Sequence, residues 1–107
     1  MALLITLAPT LAGADEDEGK KHFMTGVKLF QLANHAGALA EFEEAYRQHP
    51  TANALQNIAL CQKALFRYAE ATATLERMLR EYGPTLGDTD RKAADAALAE
   101  LRQLVVR

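Results

Sequence analysis

The strongest constraint on this chain is a self-similarity at an interval of 33 residues, between NHAGALAEFEEAYRQHP starting at Asn34 and RYAEATATLERMLREYG starting at Arg67. Ala38 pairs with Ala71, Phe42 with Leu75, Ala45 with Met78 and Tyr46 with Leu79. Upstream, Gly26 pairs with Ala59, Val27 with Leu60 and Leu32 with Leu65. Small residues answer small ones and large mostly answer large; Ala45 against Met78 is the one clear breach. A period near this length belongs to repeats made of one helix pair, which cannot bury their apolar faces alone and must stack.

Apolar periodicity supports five helices and no strand. They run from about Gly19 to Ala33, Ala36 to Gln48, Ala52 to Leu65, Tyr68 to Tyr82, and Asp88 or Thr89 to Val105. His49–Pro50 ends the second, because the residue before proline is pushed out of the helical region. Thr51 is placed to cap the third, and Gly83–Pro84 stops the fourth. Links of two or three residues within each pair force antiparallel neighbours. Composition agrees: half the residues are hydrophobic, only 7% are aromatic and there is no tryptophan. Alanine and leucine dominate, so the core is helical and finely packed.

On these residues the chain resembles the tetratricopeptide repeat family. Gly26, Ala38, Phe42, Ala45 and Pro50 carry the likeness in the first copy. Asn57, Ile58, Ala59, Tyr68, Ala71 and Leu79 carry it in the second, where Leu75 replaces an aromatic residue and Met78 a small one. The resemblance implies an all-α solenoid of about two antiparallel helix-pair repeats plus a C-terminal capping helix. Residues 19–51 and 52–84 are the repeats and 88–106 the cap, with Arg91, Lys92, Asp95, Glu100 and Arg102 on its wet side. Gly26 and Ala38 are expected at a tight crossing inside the first pair, and Ala45 against the next helix. The resemblance further implies a groove lined by the first helix of each pair, with Phe23, Val27 and Phe30 from one repeat and Gln56, Asn57, Leu60 and Lys63 from the other. Some relatives clamp a C-terminal carboxylate; here Phe23 and Val27 stand where that clamp needs Lys and Asn.

Residues 1–14, MALLITLAPTLAGA, carry no charge. They are too short to span a bilayer, which takes roughly 20 apolar residues. Leu3–Leu11 followed by Ala12–Gly13–Ala14 reads as the apolar and cleavage regions of a secretory signal, without the usual basic start. The alternative is a disordered apolar N-terminus. Residues 15–18 form an acidic leader. Asp15, Asp17 and Gly19 faintly match the opening of a calcium loop, but Gly26 falls where the bidentate glutamate belongs. The expected location is the periplasm or envelope of a bacterium, the alternative being cytoplasmic.

Catalytic signals are missing. The chain has no serine and no phosphate-binding glycine loop. His22, His35 and His49 are too widely spaced for a zinc site. Glu43 and Glu44 read as a solvated face beside Arg47. Cys61 is the only cysteine and lies in an apolar run, so it reads as a buried, inert thiol. A net charge of −2 offers no case for nucleic acid. The expectation is a non-catalytic module without cofactor that binds a peptide or protein segment. The alternatives are a spacer that self-associates within a larger envelope protein, and a chaperone for secreted proteins. Because about three repeats are needed for independent stability, homo-oligomerisation or a partner domain is expected.

Overall fold

A computed structural model describes the backbone of residues 8–106 and the side chains of residues 15–106. Its elements are α1 (Ala8–Gln31), α2 (His35–Gln48), α3 (Ala52–Ala64), α4 (Tyr68–Tyr82), a 3₁₀ turn (Gly83–Thr85) and α5 (Asp88–Val105). Every element among the described residues is helical, so the all-α expectation holds. The apolar segment read as an export signal lies largely outside the described residues.

α2, α3, α4 and α5 fall within a residue or so of the expected bounds; α1 does not. It begins at Ala8 instead of Gly19 and runs unbroken through Ala12–Gly13–Ala14 and the acidic segment 15–18. Little in that stretch opposes helix: Gly13 is a poor helix former, but alanine and leucine surround it, and Pro9 sits in the first turn, where its missing N–H has no partner to lose. The acids are tied along the helix, Glu16 to Lys20 at 3.8 Å and Glu18 to Lys21 at 3.4 Å. Periodicity could not extend the helix this far, because Asp15–Glu18 are exposed and form no apolar stripe.

Asn34 accepts from the Gly37 N–H at 2.9 Å and caps α2. Thr51 caps α3 as expected, accepting from the Ala54 N–H at 3.1 Å. His49 closes α2 at φ −150°, the extended conformation imposed by Pro50. At the start of α5 neither Asp88 nor Thr89 caps: Gly87 occupies the N-cap without a side-chain bond, and Asp88 and Asp90 lie in the first turn, where the helix dipole favours acids.

The turns after α1 and α3 repeat one another atom for atom. Ala33 and Phe66, 33 positions apart, both adopt positive φ, 62° and 63°. Ala33 N–H donates to the Phe30 carbonyl and Asn34 N–H to the Leu29 carbonyl; Phe66 donates to Lys63 and Arg67 to Gln62. This is the six-to-one, five-to-two pattern that ends a helix through a left-handed residue.

These turns reverse the chain. Phe30 meets His35, Gly26 meets Phe42 and Gly19 meets His49, so α1 and α2 run antiparallel. Tyr46 reaches Tyr82, and Lys63 reaches Glu100, so helices two apart in the sequence run in the same direction. A Cβ on Gly26 would stand 2.8 Å from the Phe42 ring, and one on Gly19 2.8 Å from the His49 Cβ. These are the close approaches between α1 and α2. Ala38 and Ala71 are fully buried, and Phe42, Ala45, Ala59 and Leu75 nearly so. Ala45 is buried: Gly19 of α1 lies over its carbonyl, and Ala54 of α3, the helix expected to pack there, lines the same hollow. The buried Gln62 accepts from Thr74 at 2.7 Å, tying α3 to α4.

Candidate functional site

Two hollows lie along the odd-numbered helices. One, of about 360 Å³, opens where α1 passes the end of α2 and the start of α3, between Gly19, Phe23, Met24, Ala45, His49, Thr51 and Ala54. The other, of about 340 Å³, lies between α3, α4 and α5. Gln56, Asn57, Leu60 and Lys63 form its α3 wall, Leu75 and Met78 its floor, and Ala93, Ala97 and Leu101 its far side. Asn53 borders both.

Of the residues expected in a groove, Gln56, Asn57, Leu60 and Lys63 come together in the second hollow and Phe23 in the first. Phe23 is half-buried, edge-on to Phe42 at 5.2 Å between ring centres, so part of the ring belongs to the core. Val27 is 36% exposed and borders neither hollow, and Leu60, its counterpart one interval on, is 48% exposed. Phe30 does not join them. It packs against His35 at 4.8 Å in the first turn, because the helix end rotates it onto α2. Asn53, Met24 and the alanines of α5 were missed. Met24 shows a legible signal, standing one interval before Asn57, but α5 gives none, since only packing brings its alanine face over α3.

The polar chemistry is mostly amide. Asn57 Nδ2 donates to the Asn53 carbonyl at 2.8 Å and to Asn53 Oδ1 at 3.3 Å. Among the described residues nothing else engages Asn57 Oδ1, Asn53 Nδ2 or the Gln56 amide. Lys63 pairs with Glu100 at 2.6 Å beside the second hollow, and Lys20 with Glu16 at 3.8 Å, both pairs exposed to solvent.

Outside the hollows the ionisable groups are structural. His22 Nδ1 lies 2.7 Å from Glu41 and ties α1 to α2. Glu44 pairs with Arg47, and the hydrogen bond from Gln48 holds its carboxyl below the usual range. Cys61 is completely buried; burial, then Glu43, pushes its thiol up to about 11. Burial and the Tyr82 hydroxyl push Tyr46 up to about 12, with Arg77 stacked 5.0 Å over its ring. Among the described residues no group of three His, Cys, Asp or Glu could hold a metal ion. Asp15 and Asp17 lie exposed on a helix, not in a calcium loop.

Comparison with family models, curated proteins and solved structures found no match.

Proposed function

We propose that the chain is a non-catalytic interaction module of the tetratricopeptide type, stacking two helix pairs and a capping helix, and that a protein segment binds along α1, α3 and α5. The observation that carries this reading is the surface those helices share: exposed Met24, Val27 and Leu60, two hollows, unspent amides and matched charges. Exposed apolar side chains grouped beside a groove mark an interaction site. The recurrence of the turn geometry at the sequence interval supports the repeat assignment.

Short peptides selected from a random display library against residues 15–107 test the reading. Leu60→Glu should abolish their binding while the helical circular dichroism spectrum is unchanged; Phe30→Ala, outside the groove, should leave it intact. Selected peptides indifferent to Leu60→Glu and Val27→Glu would sink it.

One observation favours the spacer and self-association reading. Gly19 lies opposite His49 at the end of α2, so the turns of α1 before it have no helix of α2 beside them. A short unsupported helix is marginal in water, and a neighbour in a larger assembly would support it. The chaperone reading has no separate support. Among the described residues no helix is long and apolar enough to cross a membrane. Export remains part of the proposal. Cleavage after Ala14 would leave Asp15–Glu18 in the first turn of α1, where the dipole favours acids. Mass spectrometry of the N-terminus of the expressed protein tests it: Asp15 as first residue is expected, and Met1 or Ala2 would refute export.

A further inference from the structure

A third hollow, of about 440 Å³, lies on the face away from the groove, where α2 and α4 stand apart over α3. Leu55, Ile58 and Gln62 form its floor, on the other side of α3 from Gln56, Asn57, Leu60 and Lys63. Glu43, Tyr46 and Arg47 rise from α2, and Thr74 and Arg77 from α4. Two contacts hold these walls together. The Thr74 hydroxyl donates to Gln62 at 2.7 Å, and Arg77 donates to the Tyr46 hydroxyl at 3.1 Å with its guanidinium 5.0 Å from the centre of that ring.

Three kinds of unspent polar group border this space. Gln62 is nine-tenths buried and spends its carbonyl oxygen on Thr74, which leaves its amide N–H groups without a partner among the described residues. A buried donor is costly unless water or a ligand accepts from it. Arg47 and Arg77 hold Glu44, Glu81 and Tyr46 with only part of their guanidinium groups, and N–H groups of both remain. Glu44 and Glu81 do not line the hollow. Glu43 does, and among the described residues it forms no ion pair. Its charge is felt inward, since it helps push the buried Cys61 thiol up. A bare anion here would meet the guanidinium groups but also Glu43. A bare cation would meet Glu43 but also two guanidinium groups. A ligand carrying both charges close together satisfies all three. Leu55 and Ile58 are 2% and 6% exposed, so the floor has little apolar surface left to cover, and recognition falls to charged ends.

We infer that this hollow binds a free α-amino acid as its zwitterion, the carboxylate accepting from Arg47, Arg77 and the Gln62 amide and the ammonium donating to Glu43. Glu43 and Arg47 stand one helical turn apart on α2, roughly 6 Å at Cβ, so both ends of so short a molecule are within reach of one wall. Hydrogen bonds with both partners charged are the strong ones. The site shares no residue with the groove and does not depend on it.

Nuclear magnetic resonance of the side-chain N–H groups of the full chain tests this with three probes: L-alanine, N-acetyl-L-alanine, which lacks the ammonium, and L-alaninamide, which lacks the carboxylate. L-alanine should shift the Gln62 amide and Arg77 Nε–H signals saturably and bind at least tenfold more tightly than either blocked form. Glu43→Gln, at an exposed position, should lower the affinity for L-alanine to that for N-acetyl-L-alanine without weakening the latter. Arg47→Gln, also exposed, should weaken both while the helical circular dichroism spectrum is unchanged. Equal affinity for L-alanine and N-acetyl-L-alanine would make the hollow a simple anion site and overturn the zwitterion. A preference untouched by Glu43→Gln, or the absence of any saturable shift, would overturn it too. Shifts confined to Asn53, Gln56 and Asn57 would place the ligand in the groove and overturn the third hollow as its site; the display-selected peptides decide the groove independently.

Discussion

Ala33 and Phe66 hold a left-handed backbone that costs a residue with a Cβ roughly 1–2 kcal/mol. Ala33 is exposed, so nothing its methyl touches offsets that strain. Ala33→Gly should therefore stabilise the fold by about 1 kcal/mol, read as a higher urea midpoint with an unchanged slope. Phe66 is 77% exposed and retains an edge contact with Tyr68, so glycine there would lose packing as well as strain. Cys61 gives a second prediction at this scale. Its folded thiol ionises near 11 instead of the usual 9. Between those values the unfolded chain has released a proton that the folded chain still holds, so raising the pH favours unfolding. The Cys61 contribution should be constant below pH 9 and fall from there to about 11, with Tyr46 extending the fall towards 12. Urea midpoints across this range check it; Cys61→Ala should remove the first part of the decline and leave the second. Turns beside Ala33 and Phe66 and a buried thiol at Cys61 were legible in the sequence, but left-handed backbone and the proximity of Glu43 are properties of the fold.

Helices end where local chemistry tells them to, which is why α2, α3 and α4 could be read so closely. Thr51 caps α3 through a single bond, and Thr51→Ala should cost about 1 kcal/mol, mostly by fraying the start of α3. Amide hydrogen exchange should show lost protection at Ala54 and Leu55, whose N–H groups bond to Thr51, before any elsewhere; uniform loss would mean that the cap governs global stability instead. α1 is the exception. Its early turns carry helix-compatible residues but no apolar stripe, and periodicity is a record of burial, so it is silent where a helix packs on nothing. The groove divides the same way. Leu60, Gln56, Asn57 and Lys63 were legible because they share one helix. Phe30 was misplaced because a regular spacing cannot show that the last turn of α1 rotates towards His35. The wall from α5 was invisible, since its small residues acquire a role only opposite α3.

For the molecule as a whole, the decisive comparison is between α1 and α3. Ala54, Ile58 and Cys61 of α3 are buried, while the matching positions one interval earlier, Lys21, Thr25 and Lys28, are exposed. At the other end α5 turns Lys92, Asp95, Arg102 and Gln103 to solvent. Both outer faces are polar, so neither offers another copy an apolar surface to cover. Residues 15–107 should therefore be monomeric by light scattering up to about 0.1 mM, despite the small size of the fold. Giving α1 the pattern of α3, through Lys21→Ala, Thr25→Ile and Lys28→Leu, should produce association that grows with concentration. A monomeric triple variant would show that these faces do not govern stacking. The sequence by itself determined the helical class, four of the five helix spans, the interval of 33 and the small residues at the crossings, because each depends on propensity, caps or burial along one helix. Tertiary structure alone decided that Gly19 as well as Gly26 sets the approach of α2, that Glu100 neutralises Lys63, and that Asn53 stands between two hollows. Those are relations between helices, fixed by how their faces meet and written in no single stretch of chain.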